Sequence, residues 1–232
     1  MPIRHSLLLT ALLGTLLTAT AVVADGRARF TTGDPSVPTL TFSWKGVDRS
    51  RLDSPNQPAY VLAIDGKAWG VASVGGRPVS MDLESLARLL GQQSGLTRLG
   101  PETVVPAELT ALERTGRAET VAGVEGEVYR VSWQDSNGQS HVDEAVFTGD
   151  AGVREMQAAL IGGMTQAIAR GTGVGGHQQA IEELDRRRLA VLRFGDDFRL
   201  ESIERSAQPA ARFELPSEPI DIRQMIRGVM GG

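Results

Sequence analysis

The chain has 232 residues, with 28 acidic and 24 basic side chains, three histidines and no cysteine. The missing cysteine excludes disulfide and thiol chemistry. The mildly negative balance, with no basic stripe, excludes the electrostatic footprint of a nucleic-acid binder.

From the N-terminus, Arg4 and His5 form a positive head and Leu7 to Leu17 an apolar run. Val22-Val23-Ala24 then supplies the small residues of a peptidase site. Residues 1–24 are therefore predicted to be a cleavable signal, cut after Ala24, and the address is periplasmic or secreted. The run is interrupted short of the roughly 20 apolar residues a span needs, so no stable transmembrane segment is expected after cleavage. Residues 25–216 are expected to form a single domain, long enough for a real core, and residues 217–232 a C-terminal tail.

In TLTFSWK, Leu40, Phe42 and Trp44 alternate with Thr39, Thr41 and Ser43, the pattern of a half-buried strand. AYVLAIDGKAWGVASV predicts a hairpin turning at Asp65-Gly66, with Gly75-Gly76 and Pro78 stopping its second strand. A helix is expected over 82–92, capped by Asp82, with Leu83, Leu86, Ala87 and Leu90 on one stripe. Residues 93–108 read as a connection.

ETVAGVEGEVYRVSW, residues 119–133, predicts a turn through 120–126, where Gly123 and Gly126 are free to take unusual backbone angles. Tyr129, Val131 and Trp133 should then face one way on a strand. DSNGQ turns the chain and HVDEAVFTG returns as its partner. A second helix follows at 152–171, with Val153, Met156, Leu160, Met164 and Ile168 on its apolar stripe. Gly162-Gly163 in its middle suggests a kink or close packing. After a glycine-rich break at 171–176 comes a third helix near 177–187, whose Glu182, Glu183 and Asp185 should pair with Arg186 to Arg188. LAVLRFG and FRLESIERS form two strands meeting at Asp196-Asp197. ARFELP reads as a last short strand, and IDIRQMIRGVMGG as a weakly helical tail.

No pattern here demands chemistry. His141 and His177 lack a second histidine at ligand spacing, so no metal is expected. GTGVGG, residues 171–176, fits G-x-G-x-x-G but follows a helix rather than a strand, and reads as a linker. Neither a nucleophile elbow nor a local Ser–His–acid set occurs. No catalytic residue and no cofactor are assigned, and the chain is not expected to be an enzyme. The apolar residues are more informative. Trp44, Trp69, Met156, Leu160 and Met164 are candidate lining for a pliable apolar cavity between sheet and helix, against the alternative of an ordinary core.

TGRAETVAGVEGEVYRVSW resembles the mid-chain signature of a family of exported bacterial proteins of unknown function. The resemblance extends to AVFTGDAGVREMQAAL and LAVLRFGDDFRLESIERSAQPAARFELP, and to AYVLAIDGKAWGVASVGGRPVSMDLESLARLL, most of residues 59–216. Such proteins are similar to the LolA/LolB class of periplasmic lipoprotein carriers. The resemblance implies an α+β fold: a strongly curved antiparallel sheet, an unclosed half-barrel, with helices packed on its concave face, where the carriers receive acyl chains. Gly126 stands where the family often has cysteine. The expected function is non-catalytic binding of an apolar ligand (a lipid or acyl chain) or an envelope component in the sheet–helix groove. The alternative is an envelope protein–protein interaction module with an ordinary packed core, and a third reading is a hydrolase built from converging carboxylates.

Overall fold

A computed structural model describes residues 25–33, 35, 39–55, 57–86, 108–135, 138–165 and 178–220. The expected signal peptide, the rest of the 82–92 helix beyond Leu86, residues 93–107 of the expected 93–108 connection, the 171–176 break, His177 and the tail from 221 lie outside the described residues.

Among the described residues the chain is mostly one open antiparallel sheet of eleven strands, with few helices, an α+β architecture. The strands are β1 (Gly26–Thr32), β2 (Thr39–Lys45), β3 (Arg49–Asp53), β4 (Tyr60–Ile64), β5 (Lys67–Val74) and β6 (Arg77–Asp82), then β7 (Glu108–Val121), β8 (Val124–Gln134), β9 (Ser140–Thr148), β10 (Ala190–Phe194) and β11 (Phe198–Glu204). Their order is β6-β5-β4-β3-β2-β1-β11-β10-β9-β8-β7, so the two halves of the chain are joined where β1 pairs with β11. Neighbours elsewhere are joined mostly by tight turns that the sequence licenses. Asp65 and Gly66 take φ of 49° and 76°, and Ala122 and Gly123 take 52° and 77°, the left-handed pair of a two-residue hairpin.

Gly75 and Gly76, at φ 59° and 77°, end β5 at Val74 as expected and reverse the chain into β6, where Pro78 is tolerated because β6 is an edge strand. Three expectations are corrected here. The turn before β8 is confined to Ala122-Gly123, and Gly126 lies inside β8. Its lack of a side chain serves close approach instead: a Cβ there would sit 2.7 Å from Val146 and 2.8 Å from the Phe147 carbonyl. β2 is not half-buried, since residues 41–44 are buried on both faces. ARFELP forms no strand. Ala210–Phe213 is a 3-10 turn laid over β3 and β4, because no free sheet edge is offered to it there.

Register sorts the side chains into two faces. Trp44 stands opposite Ser50, Ser50 opposite Ala63, and Ala63 opposite Ala68. These share a first face with Ala28, Phe30, Phe42, Val128, Val146, Leu192 and Leu200, one continuous apolar cluster. Helix α1 (Ala151–Ala159) lies on it, burying Val153, Met156 and Ala159. The second face is divided. At the β7–β10 end, Tyr129, Val131, Trp133, Ala145 and Phe147 form a second cluster, packed by Leu184 of helix α2 (Gln178–Arg186). At the β2–β6 end the C-terminal segment crosses as a strap. Arg212 donates to Ser43 Oγ (3.2 Å) and Asp53 Oδ2 (2.8 Å), and Phe213 is fully buried. Its end, at the start of the expected tail, runs beside β6: the Ile220 amide donates to the Ser80 carbonyl at 2.9 Å.

Strands four places apart also meet. Glu119 on β7 accepts from Arg193 on β10 (2.9 Å) and Arg199 on β11 (3.2 Å), although four strand spacings would span about 19 Å in a flat sheet. The Arg193 hydrogen bond foremost, against burial and with Arg199 assisting, holds the Glu119 carboxyl below its ordinary value.

Candidate functional site

The place where sheet and helix meet is built around α1. Its first turn is capped by Asp150, whose carboxylate accepts from the amides of Gly152 (2.9 Å) and Val153 (3.0 Å). Arg205, just past β11, donates to the same carboxylate at 2.5 Å and lies against Gly152, where a Cβ would come within 1.9 Å of its guanidinium. Burial alone would raise the Asp150 carboxyl; the Val153 amide, Arg205 and the Gly152 amide outweigh it and hold the group below its ordinary value. One turn on, Gln157 Oε1 accepts from the Val191 amide of β10 at 2.9 Å. α1 is thereby tied at its first turn to Arg205 and, near its end, to β10.

Its far end is different. From Leu160 to Thr165 the backbone widens into a π-helical turn that packs on β3 and β4. π-turns are rare and cluster at functional sites. Gly162 within it is exposed, with nothing within 4 Å of where a Cβ would stand. The glycine is therefore not there for close packing, although the departure from α geometry does fall at this point.

The five candidate lining residues do not converge. Trp44 and Met156 are fully buried in the first-face cluster, with Trp44 stacked on Phe42 at 5.8 Å, and Leu160 is half-buried against the same cluster. Trp69 points the other way, since it stands beside Ala68 and opposite Leu62, on the strap's face. Met164 belongs to the π-helical turn, but its side chain lies outside the described residues. No local pattern could have separated Trp44 from Trp69; the register does.

Sequence reasoning missed Ser50. Its hydroxyl faces the cluster beside Trp44, is fully buried, and has no hydrogen-bond partner. A signal existed in RSRLD, where Ser50 and Leu52 alternate with charged residues, the period of a strand.

Two recesses adjoin this region. One of about 510 Å³ runs between α1 and α2, walled by Ala158, Ile161, Ile181 and Leu189 with Arg154 and Asp185 among its polar groups. The other, about 300 Å³ between β7 and α2, is walled by Glu182, Glu183, Arg186 and Arg187 on the helix side and by Leu109, Ala111 and Leu112 on the strand side. Glu183 there accepts from Arg187 at 2.6 Å and from Arg186, the helix-surface pairing the sequence predicted. His141 stacks on Trp133 at 4.2 Å with Nε2 3.2 Å from Asp135, a structural pairing at the end of the β8–β9 hairpin. Among the described residues, no group of three or more histidine or carboxylate side chains is placed to hold a metal ion. No helix among them is long and apolar enough to cross a membrane.

No protein-family model, curated protein or solved structure matches the chain.

Proposed function

We propose that this protein is a non-catalytic carrier. It binds an apolar guest, a lipid or an acyl chain, between the first face of the sheet and the helical segment 151–165. The proposal includes the LolA/LolB-like half-barrel, exported to the periplasm or beyond, with the first face as its concave side. The observation that carries it is the change along that segment over a continuous apolar face: α1 is tied by Asp150 and Arg205 at its first turn and by Gln157 near its end, and it then passes into a π-helical turn over β3 and β4. The reach of Glu119 across four strands supports the curvature. Lifting the π-helical end would uncover the apolar side chains of β3 and β4 beneath it, Leu52 and Ala63, and burying apolar guest surface there is worth roughly 25 cal/mol per Å².

Native mass spectrometry of protein purified from its host without detergent tests this, together with uptake of a fluorescent fatty acid. A co-purifying lipid, or saturable uptake, is the expected result. Neither one, on folded protein, would overturn the proposal.

A second reading has its own support. Trp44 and Met156 are completely buried, so the first face is filled as the chain stands. An envelope interaction module with an ordinary core would look the same at those residues, and would give one stoichiometric protein partner in pull-downs and no lipid.

A further inference from the structure

Ser50 carries a hydroxyl that the fold does not explain. Trp44 lies between Gly26 and Ser50 in the register, and its ring overhangs Gly26 so closely that a Cβ there would come within 2.3 Å. On Trp44's other flank a small apolar residue would serve β3, as alanine does at Ala63, the next residue across. Instead the chain carries a fully buried hydroxyl with no partner, on the face roofed by the helical segment and on a strand the π-helical turn touches. Buried polar groups in folded proteins nearly always find a partner, and an orphan calls for an explanation.

Resting on the carrier reading above, we infer that Ser50 is the polar contact of the guest, and that the guest is an uncharged amphiphile. Its apolar body lies along Trp44, Leu52 and Ala63, and a neutral hydrogen-bonding group, an ester carbonyl or a hydroxyl, meets Ser50 Oγ. An ionised head is disfavoured at that spot. Among the described residues, those beside Ser50 on this face of the sheet are Trp44, Leu52 and Ala63, none of which could compensate a buried charge. Charged neighbours on the same strand, Arg51 and Asp53, belong to the opposite face, where they pair with each other at 2.7 Å and Asp53 also takes Arg212.

The test uses 1-monolauroylglycerol, laurate and the neutral dye N-phenyl-1-naphthylamine on the wild-type chain and on Ser50→Ala. The wild type should bind the monoglyceride more tightly than laurate. Ser50→Ala should weaken the monoglyceride roughly three- to tenfold, the worth of one hydrogen bond, and leave dye binding unchanged. Without ligand, Ser50→Ala should melt no lower than the wild type, because the hydroxyl it removes has no partner to lose. Equal monoglyceride affinity in the two proteins, or a lower melting point in the variant, overturns the inference while leaving the carrier reading in place. Failure of the wild type to bind dye, laurate or monoglyceride overturns both.

Discussion

Over its first half the helical segment 151–165 is tied to the sheet through Asp150, Arg205 and the Gln157–Val191 hydrogen bond; at its far end it is a π-helical turn resting on β3 and β4. The same apolar stripe runs under both ends. Among the described residues the two stretches differ in polar side chains: α1 carries the Asp150, Arg205 and Gln157 hydrogen bonds, whereas Leu160 and Ile161, which open the π-helical turn, are apolar. Apolar contact is non-directional and tolerates sliding; a carboxylate that caps a helix and accepts from an arginine does not. On the carrier reading, the capped end acts as a hinge and the π-helical end as the edge that lifts.

The largest effect should come from the middle of the stripe. Met156→Ala removes a completely buried side chain shared by the helix and the sheet. It should cost about 3 kcal/mol in urea unfolding, as such truncations do when the site cannot collapse. Next comes the hinge. Asp150→Ala should cost about 1 kcal/mol by loss of the cap, with faster amide exchange at the start of α1.

The hinge also carries a pH signature. Asp150 titrates below its ordinary value of 3.8 in the folded chain, and Glu119 below 4.5. Both contributions are therefore present in full above those values and are lost as pH falls through the lower folded ones. An acid titration of unfolding stability should show the wild type losing stability below about pH 4.5, and losing less in Asp150→Asn and Glu119→Gln. The smallest effect should appear at the loose end. Gly162→Ala meets no neighbour and suits a helix better, so it should stabilise by about 0.5–1 kcal/mol. The same substitution should slow guest uptake if the loose end has to lift.

What the sequence made legible follows the same division between local and distant causes. The Asp65-Gly66 hairpin, the strands around Trp133 and the pairing of Glu183 with Arg187 rest on neighbours in sequence, and they were read correctly. β1, β3, β6 and β7 were missed. β3 is short and charged, and its Asp53 is half-buried only because Arg212 reaches it from 159 residues away. The strap was misread as a strand because alternation alone does not say whether an edge is free to receive it. Trp69 was grouped with Trp44 for want of the register that sends them to opposite faces. The orphan at Ser50 is invisible locally, since it is defined by what surrounds it.

Amide hydrogen exchange across residues 151–165, with and without 1-monolauroylglycerol, tests the uneven fastening most directly. The account predicts slow exchange over residues 153–159, exchange at least tenfold faster over 160–165, and slowing of the latter on addition of the monoglyceride. Uniformly slow exchange along the whole segment, unchanged by the monoglyceride, would contradict it.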